Sequence, residues 1–187
     1  MRSSFSLVNA LMNFQYNKLS HPESVKLIED VKNHIFGVSS VHELMLEAID
    51  YHQIRFEKYI LRILGLMEKL YNGNPSINIH VHAPDVVLPI SKALPSALII
   101  FELLNHSYKE SLKNTETGEV HIRMQKIGND CQLVIRDNGT EVSEEMINRK
   151  DALCIRLVDI FVQELNGILQ VEAKNGNKFT ITFPIQP

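Results

Sequence analysis

The feature that most constrains the fold is an apolar segment with a polar end at residues 95–111, PSALIIFELLNHSYKES. Pro95 is well placed to begin a helix, and the apolar run 97–100 follows it, with Leu103 and Leu104 one turn later. The last turns carry polar side chains at helical spacing: Glu102, His106, Lys109 and Glu110. The segment therefore predicts a helix that is buried against a sheet and presents a polar group at one end.

Alternating segments on both sides of this helix predict the sheet. After it come VHIRM (120–124), QLVIRD (132–137), ILQVEA (168–173) and KFTITF (178–183). Before it comes SINIHVHA, on which His80 and His82 share one face. They could be a metal pair, but without a third ligand two solvent-facing histidines are the commoner arrangement. After a turn at about 51–56, a further amphipathic helix is predicted whose apolar positions run from Tyr59 to Leu70, and another helix is predicted at about 151–165.

The first 55 residues predict a helical hairpin, with helices at about 3–18 and 23–50. The second helix carries a heptad seam: Ile28, Val31, Ile35, Val38, His42, Met45 and Ile49. One hairpin cannot bury this seam together with the wide apolar face of the first helix, whereas two copies packed as a four-helix bundle can, so we expect a homodimer. His42 is expected to be a hydrogen-bonded residue of the bundle core, and His21 and His34 are expected at the surface.

Composition excludes several classes of protein. The 187 residues carry 19 basic and 22 acidic side chains with no basic block, which disfavours a nucleic-acid partner. No apolar run approaches the roughly 20 residues of a membrane span, and the start lacks the cleavage site of a signal peptide. Cys131 and Cys154 lack metal-ligand spacing and are expected to be reduced, mostly buried thiols of a cytoplasmic protein.

An ordered series of segments resembles the histidine kinases of the HWE and related HisKA subfamily. It begins with LVNALMNFQ and VSSVHELM and continues with LPISKALPSALIIFELLNHSYKES, which follows the family pattern LPLDQAxPLGLILNELVTNALKHA. VIRDNG and IRLVDIFVQELNGILQVEAKNGNKFTITFP complete it. The resemblance implies an α+β fold. An N-terminal helical hairpin at 1–55 forms a dimeric four-helix bundle, and a GHKL/Bergerat-like α/β sandwich follows at 56–187.

The resemblance also implies where a nucleotide would lie: Glu102, His106, Lys109, Asp137, Gly139, Glu141 and Cys154. In the family, Asp137 would bind the adenine amino group, Gly139 would approach the ring, and Glu102 and Lys109 would lie near the phosphates. His106 replaces an asparagine that binds Mg²⁺, for which imidazole is a poor ligand. Glu141 and Cys154 replace glycines that let the backbone approach the nucleotide. A D-N-G turn alone is a common turn signal.

We therefore expect a vestigial nucleotide site with no cofactor, no catalytic residue and no metal. The family's phosphoacceptor histidine would fall just before Met1, so either the true start lies upstream or the acceptor has been lost. The expected function is two-component signalling, as a non-catalytic adaptor or histidine-phosphotransferase-like protein that binds a response-regulator receiver domain or a partner kinase. The alternative is an active sensor histidine kinase that uses Mg²⁺ and ATP in an atypical site, with its acceptor upstream of Met1. No feature supports a small-ligand sensor.

Overall fold

The computed structural model describes residues 31, 34–43, 54–71, 76–143 and 153–186. The described elements are, in chain order, helix α1 (34–43), strand β1 (Ile54–Arg55), helix α2 (Phe56–Leu70), strands β2 (Ile77–His82) and β3 (Val87–Leu88), helix α3 (Ile90–His106), strands β4 (Gly118–Ile127) and β5 (Asp130–Asp137), helix α4 (Leu153–Glu164), and strands β6 (Ile168–Ala173) and β7 (Asn177–Pro184). The order confirms the predicted α+β class.

The main sheet has five strands in the order β2-β4-β5-β7-β6. β2 runs parallel to β4 because α3 connects them, and the other neighbours are antiparallel. One face of the sheet joins the helices in a single apolar core, to which β4, β5 and β7 contribute Val120, Ile122, Met124, Leu133, Ile135, Phe179, Ile181 and Phe183. This core fixes α3 against the sheet, which places its last turns beside the end of β5.

The start of α3 corrects the prediction made for Pro95. The helix begins at Ile90, Pro89 is its N-cap residue, and Pro95 lies inside it. The N–H groups of Lys92 and Ala93 bond to the Pro89 carbonyl, so the first turn forms five residues earlier than predicted. A proline inside a helix removes one backbone hydrogen bond. The Pro95 side chain is nevertheless buried within α3.

The last turn of α3 widens into a π-helical turn at Ser107–Ser111, where the Leu112 N–H bonds to the Ser107 carbonyl at 2.8 Å. Single π turns occur mostly at functional sites. Here the turn carries two serines whose hydroxyls both reach Asp137 at the end of β5. The turn is therefore the structural link between α3 and the candidate site.

The described part of the hairpin corrects the prediction for His34. Its side chain is 13% exposed and bonds to Glu102 of α3, so it is not a surface residue. The seam residues Val31, Ile35, Val38 and His42 are half-buried, and Ile28, Met45 and Ile49 lie outside the described residues, as does His21. The bundle and the homodimer thus remain predictions, as does the domain boundary at residue 55.

Three smaller expectations can be compared with the structure. His80 and His82 are exposed on β2, as predicted, and the His80 ring stacks on His121 of β4 with centroids 4.7 Å apart. Cys131 and Cys154 are buried free thiols. Among the described helices, none combines the length and apolarity needed to cross a membrane.

Candidate functional site: a filled nucleotide site

The seven residues implied by the resemblance come from three parts of the fold. α3 and its π turn carry Glu102, His106 and Lys109, the end of β5 and the following loop carry Asp137, Gly139 and Glu141, and α4 carries Cys154. Four of them are buried: Glu102, His106, Asp137 and Cys154. Buried polar groups need hydrogen-bond partners, and these partners define two clusters. We call the cluster around Asp137 the adenine end and the cluster around Glu102 and His106 the phosphate end, after the roles of these positions in the family.

At the adenine end, four donors of the chain itself surround the Asp137 carboxylate, which is 2% exposed. Oδ1 accepts from the Ser111 hydroxyl at 2.6 Å and from the Asn177 amide and the Gly139 N–H at 3.0 Å. Oδ2 accepts from the Ser107 hydroxyl at 3.0 Å, and that hydroxyl has the Leu103 carbonyl as a second acceptor at 3.1 Å. A carboxylate offers about four lone-pair sites. Three of the four donors share Oδ1 and one reaches Oδ2, so groups of the chain itself enclose the carboxylate.

The loop after β5 closes against the end of α3. A Cβ placed on Gly139 would lie 2.2 Å from the Ser111 hydroxyl oxygen and 2.3 Å from its carbonyl oxygen. The Thr140 N–H bonds to the same carbonyl at 2.8 Å. Asn177 ties down the rest of the loop, because its side chain donates to the Thr140 carbonyl and accepts from the Val142 N–H. The close approach that glycine permits is thus made to Ser111.

At the phosphate end, the Glu102 carboxylate is fully buried and bonds to the imidazole of His34 from α1, with Oε2 2.5 Å from Nε2. The Cys154 thiol donates to the Glu102 backbone carbonyl at 3.3 Å. Burial, together with the negative charge of Glu102, raises the pKa of that thiol far above its usual range. Cys154 is therefore a neutral packing residue in contact with α3.

His106 lies one helical turn beyond Glu102 and is also buried. Desolvation by burial lowers the pKa of His106, and the negative charges of Asp137 and Glu110 partly oppose that shift. Its Nε2 atom, like Oε1 of Glu102, has no hydrogen-bond partner within the described residues. The imidazole is thus held neutral in a site that offers it incomplete hydrogen bonding.

The remaining two residues of the set are Lys109 and Glu141. Lys109 is half-buried on the π turn. Glu141 is exposed, and its Oε1 accepts from the Asn175 N–H of the β6–β7 turn at 2.7 Å. Glu141 thus has a structural contact in place of the backbone approach that the family's glycine provides.

Sequence reasoning missed five residues that shape the site: His34, Asn105, Ser107, Ser111 and Asn177. The two serines could have been noticed from the sequence. Residues 106–111, HSYKES, align with NALKHA in the family pattern, so Ser107 and Ser111 both replace alanine. His34 gave no signal, since its contact joins residues 68 positions apart in the sequence.

Mg²⁺ and ATP do not fit the site in this form. The Asp137 carboxylate is 2% exposed and is enclosed by donors of the chain itself, and His106 stands where the family's metal ligand is an oxygen. Across the described residues, no three histidine, cysteine or acidic side chains gather in a way that could hold a metal ion.

Comparisons with known proteins agree with this architecture. The histidine kinase domain family HisKA_2 matches residues 1–71, and the family of histidine kinase-, DNA gyrase B- and HSP90-like ATPases matches residues 92–187. No curated protein matches the chain. Among solved structures, the histidine kinase domain of the blue-light-activated histidine kinase from Erythrobacter litoralis is 16% identical with a TM-score of 0.73, over 97% of this chain and 94% of that one.

Two further solved structures are similar. The histidine kinase AdeS of Acinetobacter baumannii is 14% identical with a TM-score of 0.61, over 100% of this chain and 97% of that one. The mycobacterial sensor histidine kinase MprB is 19% identical with a TM-score of 0.57, over 72% of this chain and 97% of that one. At these identities the likeness shows the fold. Together with the family match over half of its length, it means that this chain belongs to the histidine kinase family and carries the family's HWE-type core, a histidine kinase domain followed by a GHKL-type ATPase domain.

Proposed function

We propose that this chain is a two-component signalling protein that works without Mg²⁺-ATP, as a non-catalytic adaptor or a histidine-phosphotransferase-like protein. Its partner would be a response-regulator receiver domain or a partner histidine kinase, bound through the hairpin. We further propose that it acts in the cytoplasm as a homodimer and needs no cofactor.

The observation that carries the proposal is the occupied carboxylate of Asp137. For adenine to reach this carboxylate, which is 2% exposed, some of the groups of the chain that enclose it would have to move aside. The replacement of the Mg²⁺ ligand by His106 adds a second defect that is independent of the first. Each lost or opposed contact costs about 1–3 kcal/mol, and about 1.4 kcal/mol corresponds to a tenfold change in affinity. Two such defects together cost about 2–6 kcal/mol, which weakens binding by roughly 30-fold to 10⁴-fold.

A second candidate function, an active sensor kinase with an atypical site, is favoured by the retained residue types. Glu102, Lys109, Asp137 and Gly139 all match the family pattern. In that case a conformational change would have to expose Asp137.

Phosphorylation assays separate the two functions. We expect no phosphohistidine on residues 1–187 after incubation with Mg²⁺-ATP or with a phosphorylated receiver domain, because the first hairpin helix contains no histidine. Phosphohistidine mapped by mass spectrometry to His21, His34 or His42 would contradict this expectation, and phosphate received from the receiver domain would favour the phosphotransferase-like version over the adaptor. ATP-dependent labelling of any kind would favour the kinase.

Substitutions at two half-buried residues of the heptad seam test the proposed homodimer. Ile35→Asp combined with Val38→Asp should yield monomers or unfolded protein, because unpaired carboxylates buried in a bundle cost several kcal/mol. The matched control is Phe36→Asp, since Phe36 lies on the same helix but is 48% exposed. Light scattering measures the mass and circular dichroism separates monomers from unfolded chains. A monomeric wild type at micromolar concentration would refute the homodimer.

A further inference from the structure

α1 and the end of α2 meet one segment of α3, and a chain of hydrogen bonds joins the three helices. The Tyr71 hydroxyl donates to Oδ1 of Asn105, and Nδ2 of Asn105 lies 3.4 Å from Nδ1 of His34. Nε2 of His34 then lies 2.5 Å from Oε2 of Glu102. The directions agree along the whole chain: if Nδ1 accepts from Asn105, then Nε2 carries the proton that is donated to the carboxylate.

The Glu102 carboxylate depends on this contact. Its side chain is completely buried, its Oε1 has no hydrogen-bond partner among the described residues, and its Oε2 bonds to His34. A buried carboxylate without a partner is strongly unfavourable. If α1 separated from α3, the Glu102 carboxylate would lose its hydrogen bond to His34, and water would have to replace it.

The packing of the two helices depends on a glycine. A Cβ on Gly37 would lie 1.8 Å from Cζ of Phe101, so the tip of the phenyl ring rests directly on the backbone of α1. Phe101 is 1% exposed, and the ring of His34 meets it edge to face with centroids 6.4 Å apart. One turn further along α1, Val41 is fully buried. Residues 34, 37 and 41 thus form one face of α1 that lies on α3.

Glycine is unfavourable within a helix unless something requires it. Gly65 of α2 provides the comparison inside the same chain, because a Cβ there would meet nothing within 4 Å. The space around Gly37 is filled by the one side chain, Phe101, that stands where the family pattern has asparagine.

We propose that Gly37 and the His34–Glu102 hydrogen bond clamp α1 to α3, and that this clamp holds the hairpin and the ATPase-like domain in one fixed arrangement. The clamp occupies Glu102 at the phosphate end, so hairpin docking and phosphate approach at that residue exclude each other. It also leaves the seam residues Ile35, Val38 and His42 on a different face of α1, where a second hairpin can pack.

The two glycines give a matched test on the full chain. Gly65→Ala should raise the melting temperature by roughly 2–4 °C, since alanine favours the helix and the site is open. Gly37→Ala should lower the melting temperature, because the added Cβ would collide with Phe101, although alanine favours the helix at this position too. Hydrogen exchange measured by mass spectrometry should then show about tenfold faster exchange of the amides at 34–43 in Gly37→Ala, with β5 and β7 unchanged.

A second variant removes the hydrogen bond without steric conflict. His34→Ala should also accelerate exchange at 34–43, whereas Phe36→Ala, on the exposed side of the same helix, should not. The clamp is refuted if Gly37→Ala stabilises the protein as Gly65→Ala does, or if exchange at 34–43 in His34→Ala equals that of the wild type. If Gly37→Ala fails to fold, the comparison of His34→Ala with Phe36→Ala decides.

Discussion

At the adenine end of the vestigial site the Asp137 carboxylate meets four donors, whereas at the phosphate end Oε1 of Glu102 and Nε2 of His106 are buried with no partner in the described part of the chain. The adenine end has kept the family's aspartate and lost its availability. At the phosphate end, His106 replaces the family's asparagine, and His34 and Cys154 contact Glu102. Retention of a motif residue is therefore not sufficient evidence of its function, because function depends on the groups that its atoms contact.

The difference has an energetic consequence. A buried network in which every acceptor is paired stabilises the folded chain, whereas a buried polar atom without a partner reduces stability. The adenine end is thus expected to behave as a structural element, and the phosphate end as the weaker region. Changes at the two ends should affect stability in different ways.

The largest effect is expected from Asp137→Ala. Removal of the carboxylate leaves the Ser107, Ser111 and Asn177 donors in a buried site, so the free energy of unfolding should fall by about 3 kcal/mol. The matched control is Glu172→Ala, a carboxylate in an exposed pair with Lys178, which should change it by less than about 0.5 kcal/mol. Urea denaturation measures both. An Asp137→Ala variant as stable as the control would mean that the aspartate is kept for a ligand.

A smaller effect, with a defined sign, is expected at the phosphate end. Because burial lowers the pKa of His106, the folded chain holds this imidazole neutral while the unfolded chain titrates near pH 6.5. As the pH falls below about 6.5, the unfolded state binds the proton more readily and the wild type loses stability. His106→Asn should remove this contribution, so the stability of the wild type relative to the variant should fall between about pH 6.5 and 5. Parallel curves for the two proteins would contradict it.

Local sequence patterns predicted most of the sheet and little of the filled site. The strand at 168–173 was predicted to the residue, because period-two alternation reports burial on one face. The prediction for the start of α3 was wrong. Pro89 and Pro95 are both suited to the start of a helix, and the structure places Pro89 there. The position of His34 depends on how α1 packs on a helix some 70 residues later, and no local pattern records such a contact.

The residues at the adenine end were predictable only in part. Ser107 and Ser111 differ from the family pattern at two alanines, so the difference itself was readable. What they bond to was not, because that depends on the π turn aiming both hydroxyls at the end of β5.

The central claim, that the chain's own side chains fill the site, is tested most directly by calorimetric titration with Mg²⁺-ATP. We expect no binding of the wild type at 1 mM, which corresponds to about −4 kcal/mol. His106→Asn with Glu141→Gly and Cys154→Gly repairs the phosphate end and should bind better than the wild type. A variant that also carries Ser107→Ala and Ser111→Ala removes two of the four donors to Asp137, including the one on Oδ2, and should bind better still. Circular dichroism confirms that each variant is folded. A wild type that binds Mg²⁺-ATP with micromolar affinity would contradict the account and establish the site as functional.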